Sequence, residues 1–196
     1  KQDPSVQAVL CCDNVNRGLG FGNGKIFLQQ NDGNLVALNA KTGAKVWSTS
    51  NVDPKVGATN TNAPHVINDK VLTGCSGAEF GVRCFIAAYN IEDGSLAWKA
   101  MSTGPDSEVL IGADFNKENP LYSALSVYED VNGGNVEGGS FKRIPNDQLQ
   151  GGVADLGLKT WLKPQAVKDG WQHGGGSVWG WWPYDAKTNL VYYGTG

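Results

Sequence analysis

The chain has 196 residues, 18% charged and 10% aromatic, with a formal net charge of −3. So many aromatics exclude a disordered chain, and the charge balance argues against nucleic-acid binding, which would show a basic stripe. No apolar run approaches the ~18–20 residues of a membrane span. Lys1-Gln2-Asp3-Pro4 opens no signal peptide. The 27 glycines are about twice the ordinary usage of about 7%. The composition is that of a soluble, Gly- and Trp-rich β protein.

In chain order, the apolar run at 6–10 reads as a strand. It leads into Cys11-Cys12-Asp13-Asn14-Val15-Asn16-Arg17-Gly18, so an arginine emerges beside a cysteine pair. Adjacent Cα atoms lie about 3.8 Å apart, closer than the usual disulfide range of about 4.4–6.8 Å. A bond between neighbours is therefore strained, and an arbitrary pair is ordinarily two free buried thiols.

A repeat follows. One unit runs through Lys25–Gln29, residues 35–39, a turn at Lys41-Thr42-Gly43 and Trp47. The next runs through Lys70–Gly74, Phe85–Asn90, a turn at Glu92-Asp93-Gly94 and Trp98, with residues 62–67 supplying its first strand. Gly43 and Gly94 sit where a hairpin turn wants positive φ. The spacing is 45 residues from Lys25 to Lys70 and 51 from Trp47 to Trp98, the excess falling in the loop 76–83. A period of about 40–50 residues with about four strands per unit is the sequence signature of a β-propeller.

Residues 104–170 show no clean strand period, hold Pro105, Pro120, Pro145 and Pro164, and include a Gly-rich stretch at 133–139. This region reads as a loop-rich excursion at about 104–173 capping one face, with a short helix near 146–150. A third unit begins at 178–184, continues through 190–193, and stops at Gly194-Thr195-Gly196. Two and a half units cannot close a propeller. The expectation is an all-β partial propeller over 1–196, one piece of a larger polypeptide.

Four motifs in this order carry a resemblance: Cys-Cys-Asp-x-Val-Asn-Arg-Gly at 11–18, Ser-Gly-Ala-Glu-Phe-Gly-Val-Arg at 76–83, Gly-Pro-Asp at 104–106, and Gly-Gly-Gly-Ser-x-Trp-Gly-Trp at 174–181. Together they resemble the pyrroloquinoline-quinone (PQQ) alcohol dehydrogenases, closest to the methanol dehydrogenase large subunit. The resemblance covers nearly the whole chain except about 125–157. It implies an eight-bladed propeller of which this chain holds the early blades.

The resemblance also implies a site. Cys11 and Cys12 would form a disulfide against one face of the quinone, with Trp179 stacking on the other. Arg17 would meet a PQQ carboxylate, a charge-assisted bond. Thr61, Ser76, Gly77 and Ala78 match positions that donate hydroxyl or backbone N–H bonds, and Ser177 keeps a hydroxyl where the methanol enzymes usually have Thr. Glu79 matches a ligand to Ca²⁺ or a trivalent lanthanide, hard cations that want oxygen. The catalytic Asp base is expected downstream, so none lies within this chain, and the isolated chain is expected to be inactive.

Cys75 and Cys84 depart from the family pattern and flank the Glu79 loop. A cross-strand disulfide and a pair of buried thiols both fit. His65 and His173 read as satisfied structural histidines, and Glu92 and Asp93 as solvated turn charges.

The implied function is oxidation of a small primary alcohol, methanol favoured, in the periplasm. Electrons would pass to a cytochrome c, and the remaining polypeptide or a homo-oligomer would complete the assembly. No nucleic acid or membrane span enters this reading. The alternative is a non-catalytic propeller scaffold or binding protein of the same ancestry.

Overall fold

A computed structural model describes residues 3–10, 13–109, 128–130, 141–148, 158 and 169–196. The chain divides into two compact units, one formed by 1–102 with 172–196 and the other by 103–171.

In the first unit, two four-stranded antiparallel meanders follow one another, as propeller blades do. The first comprises β1 (Gly20–Gly22), β2 (Lys25–Gln29), β3 (Asn34–Asn39) and β4 (Lys45–Ser50). The second comprises β5 (His65–Ile67), β6 (Lys70–Gly74), β7 (Phe85–Asn90) and β8 (Leu96–Met101). The two repeat down to their irregularities. The β3–β4 register shifts between Ala37 and Leu38, and the β7–β8 register shifts between Ala88 and Tyr89. Each shift falls just before the blade's tryptophan, since Ala37 pairs with Trp47 and Ala88 with Trp98. The fold is the all-β propeller type that the repeat indicates.

The second blade is buried on both faces. Successive side chains of a strand point to opposite sides, so Phe85, Ala87 and Tyr89 join Phe27, Leu35, Ala37 and Trp47 in a core shared with the first blade. Ile86 and Ala88 turn the other way, against Val178 and Trp182. Alanines at 87 and 88, both fully buried, let the layers approach. The innermost strands meet through glycine, because a Cβ on Gly22 would lie 2.6 Å from Val66 Cγ1.

Trp47 locks the blades together. Its indole Nε1 donates to the Ile91 carbonyl at 3.2 Å, and Thr49 Oγ1 donates to the Gly94 carbonyl at 2.8 Å. Gly94 has φ +72, and a Cβ there would lie 2.6 Å from Trp47 Cε3. Gly43 occupies the same place in the first blade with the same φ, yet its Cβ would meet nothing within 4 Å. Glu92, expected as a solvated charge, pairs across the blade boundary with Lys25 at 2.8 Å and also accepts from Asn23.

Two expectations are corrected. Residues 6–10 are not a strand: Pro4–Val9 is a 3₁₀ helix, nucleated by Pro4 in its first turn and by Asp3, whose carboxylate accepts from Ser5 N–H. Residues 178–182 are irregular, because Val178 N–H bonds to the Cys75 carbonyl and the chain is threaded by glycines at 174–176 with positive φ. Strand follows only at β11 (Tyr184–Asp185) and β12 (Leu190–Val191), numbered after the two strands of the other unit.

In the second unit, β9 (Tyr128–Asp130) pairs antiparallel with β10 (Phe141–Arg143), and Asn146–Gln148 forms a 3₁₀ turn. Strands of three residues, rich in charge, leave no period to read. Positions 149–150 of the expected helix lie outside the described residues.

Cys75 and Cys84 form a disulfide, Cα–Cα 5.5 Å, just beyond the Gly74–Ile86 pair of β6 and β7. His65 stacks on Trp182 at 5.0 Å and meets Trp181 edge-on at 5.8 Å. Its Nε2 has no hydrogen-bond partner among the described residues, so it is structural without being satisfied, and burial pushes its pKa below the ordinary value. Among the described residues no helix is long and apolar enough to cross a membrane.

Two outcomes follow from this packing. Gly94→Ala should destabilise by about 2–4 kcal/mol, combining left-handed strain with overpacking on Trp47. Gly43→Ala should cost only about 1–2 kcal/mol, the strain alone. Urea denaturation of both variants tests this, and equal costs would show that Trp47 does not fill the turn. The second outcome concerns Tyr89, whose hydroxyl burial raises from 10.0 to about 12. Below pH 10 folded and unfolded chains both keep the proton. From 10.0 to about 12 the unfolded chain loses it first, so stability should fall as pH rises through that interval. Denaturation across the interval, with Tyr89→Phe removing this component, is the measurement.

Candidate functional site

A concavity of about 330 Å³ opens in the first unit, at the lower end of the about 300–1,000 Å³ of small-molecule sites. Five of the expected site residues line it: Arg17, Thr61, Ser76, Glu79 and Trp179. Leu10, Asp13, Val15, Thr59 and Phe80 complete the lining.

Each wall has a local cause. Asp13 takes positive φ (64°), and its carboxylate accepts from Asn14 N–H, a tight turn that sends the chain on toward Arg17. Arg17 is held at both ends, its backbone N–H and its Nη1 both donating to the Thr61 carbonyl, at 3.1 and 3.3 Å. Its guanidinium carbon stands 4.6 Å from the centroid of the Trp179 ring, a cation–π distance. Trp179 keeps 43% of its surface exposed, so an indole face remains open.

Opposite them, Thr59 and Ser76 exchange both backbone hydrogen bonds, at 3.1 and 2.9 Å. This isolated bridge sets the side chains of Thr61 and Ser76 together, Oγ1 to Oγ 2.8 Å. After Ser76 the chain turns through Gly77 (φ +116) into the 3₁₀ turn Ala78–Phe80. Only glycine fits at 77, where a Cβ would lie 2.3 Å from the Gly57 carbonyl oxygen. The same crowding recurs at Gly174, whose Cβ would lie 2.6 Å from the Ala78 carbonyl oxygen. The Glu79 side chain is thus carried on a loop pinned by glycines and closed at its base by the Cys75–Cys84 bridge.

Gly77 and Ala78 shape this loop without lining the concavity. Ser177 is buried and pairs with Gly196 through both backbone bonds at 3.1 Å, also outside the lining. Cys11 and Cys12 lie outside the described residues, although their neighbours Leu10 and Asp13 both reach the concavity. Thr59 lies in none of the motifs and was not singled out by the sequence. Leu10, Val15 and Phe80 gave no signal beyond being apolar.

Chemically, the concavity offers a fixed cation, two adjacent hydroxyls, two carboxylates and an aromatic face. That set suits a flat anionic ligand: carboxylates for the guanidinium and hydroxyls, a ring for the indole. For a hard cation, Glu79 supplies one oxygen. Among the described residues no three His, Cys, Asp or Glu side chains stand together.

The chain is similar to known proteins over its whole length. The PQQ_2 family model, described as outer membrane protein assembly factor BamB, matches residues 14–142. Methanol dehydrogenase (cytochrome c) subunit 1 of Methylorubrum extorquens is 44% identical over all of this chain and 27% of its own length. The lanthanide-dependent methanol dehydrogenase of Methylacidiphilum fumariolicum is 43% identical over 99% of this chain and 26% of its own length. A solved europium-containing methanol dehydrogenase superposes with a TM-score of 0.73 at 40% identity, covering all of this chain and 28% of that one. The chain therefore spans about a quarter of the length of the curated relatives it matches. It belongs to the PQQ_2 family, and over its whole length it resembles methanol and quinohemoprotein alcohol dehydrogenases.

Proposed function

We propose that this chain supplies early blades and one wall of the cofactor site of a periplasmic quinoprotein that oxidises a small primary alcohol, methanol first, to the aldehyde. The observation that carries this is the convergence of Arg17, Thr61, Ser76, Glu79 and Trp179 on one concavity from four separate stretches of sequence. Residues 104–173 are, on this reading, an excursion from the same propeller domain.

Arg17, fixed through Thr61, presents a permanent positive charge to a carboxylate of PQQ. The paired hydroxyls of Thr61 and Ser76 donate to further oxygens. The Trp179 face and a Cys11–Cys12 bridge bound the two sides of the ring, and Gly77 and Ala78 offer backbone N–H groups at its edge. Ser177, two residues before Trp179, adds a hydroxyl. Glu79 gives an oxygen to Ca²⁺ or a lanthanide. The bound quinone and metal supply two-electron oxidation of the alcohol under Lewis-acid assistance, with a cytochrome c as the electron acceptor. This chain's own work is orientation and exclusion of water from that slot.

In the full-length protein, Arg17→Ala should weaken PQQ binding by about tenfold or more, the loss of one charge-assisted bond. Quenching of tryptophan fluorescence by added PQQ measures it. Turnover on methanol, ethanol and butanol checks the substrate, and a clear preference for butanol would overturn the choice of methanol. A full-length protein that neither binds PQQ nor oxidises any of the three alcohols would favour the scaffold alternative. Alkylation of the unreduced protein should leave Cys11 and Cys12 unlabelled, with mass spectrometry finding their bridge within a single peptide. Full labelling of both in an active enzyme would refute the slot as drawn.

A further inference from the structure

The segment Thr59-Asn60-Thr61-Asn62 alternates. Thr59 and Thr61 line the concavity, while Asn60 and Asn62 point into the protein, 1% and 0% exposed. Buried amides are costly unless bonded, and here both partners come from the first blade. Asn51, just after β4, donates through Nδ2 to Asn60 Oδ1 at 2.9 Å and to the Gly74 carbonyl at 3.2 Å. Its own Oδ1 accepts from the Tyr89 hydroxyl at 2.7 Å. Gln29, the last residue of β2, donates through Nε2 to Asn62 Oδ1 at 2.6 Å and to the Asn62 carbonyl at 3.2 Å.

Asn51 therefore grips both strands that meet in the Thr59–Ser76 bridge, one through Asn60 and the other through Gly74, two residues before Ser76. Among the described residues, the bond from Asn51 is the one hydrogen bond the Asn60 side chain makes with another residue, since Asn60 Nδ2 has no partner. Without it the Asn60 side chain has no hydrogen bond among the described residues. The hydroxyl of Thr61 is one residue further on.

We propose that Asn51 and Gln29 are positioning residues: amides of the first blade that hold the hydroxyl-bearing wall of the second blade in register for its ligand. The ligand named for that wall, PQQ, rests on the function proposed above. The positioning itself rests only on the hydrogen bonds.

The experiment uses the full-length protein and two readouts. Hydrogen exchange at the Thr59 and Ser76 amides, which bond to each other, reports the wall without any ligand. PQQ affinity, read by tryptophan quenching, reports the consequence. Asn51→Leu should speed exchange at Thr59 and Ser76 by at least about tenfold, leave Ala87 and Ala88 in β7 unchanged, and weaken PQQ binding by about tenfold. That affinity loss should largely vanish when measured in a Thr61→Val background, since coupled residues are non-additive. Asn51→Asp removes the same two donors while keeping the acceptor for Tyr89, and serves if the leucine variant does not fold. Tyr89→Phe, which spares both donors, should leave the Thr59 and Ser76 exchange as it was. Unchanged exchange at Thr59 and Ser76 in folded Asn51 variants would overturn the inference. So would an affinity loss that is the same with Thr61→Val as without it. Wild-type protein that fails to bind PQQ while the Asn51 variants still loosen the wall would overturn the cofactor and support the positioning role.

Discussion

The seating of Trp47 against Gly94 is the contact on which the rest of the first unit depends. An indole laid on a glycine in the left-handed region fills space that any side chain would take, and its N–H satisfies the Ile91 carbonyl. That one contact fixes β4 relative to the second blade. Four residues later the chain reaches Asn51, already aligned with Asn60 and Gly74. The hydrophobic seat on β4 and the amide that holds the polar wall of the concavity therefore follow one another along the chain. Blade packing and site geometry are not separable here.

Much of the architecture was legible because the blades repeat, short apolar runs closed by a glycine turn and a tryptophan recurring down the chain. In the second blade, Phe85 to Tyr89 is one apolar run whose alternate members serve two cores. Its boundaries were given by the Gly-containing loop 76–83 on one side and the Glu92-Asp93-Gly94 turn on the other. Where the repeat is interrupted the reading failed. The apolar run at 6–10 suggested a strand, but the Asp-Pro-Ser start decided for a 3₁₀ helix. Residues 178–182 carry aromatic mass suited to a strand, yet three preceding glycines with positive φ prevent regular pairing.

The site divides differently. Arg17, Ser76, Glu79 and Trp179 were found through motifs, and Thr61 through the resemblance those motifs carry, since no local property of an isolated Arg or Glu marks it as facing a cavity. Thr59, Asn51 and Gln29 escaped both periodicity and motif. Their roles are set by partners far away in sequence, 33 residues apart for Gln29 and Asn62. Carboxamides look alike on a surface and in a buried network, and only the fold tells them apart.

The Cys75–Cys84 bridge has a consequence for how the chain is oxidised. It joins residues nine apart, within one blade and across one loop. The other possible partners for Cys75 are Cys11 and Cys12, 64 and 63 residues away. By loop-closure entropy, the longer ring costs about 1.7 kcal/mol more than the shorter one, close to a twentyfold handicap in encounter. For Cys75 the observed pairing is thus the fastest of the three in an unstructured chain, before any two blades have docked. Once that bridge has closed, neither Cys75 nor Cys84 is open to a longer-range partner, so the loop that carries Glu79 is guarded against mispairing by proximity along the chain.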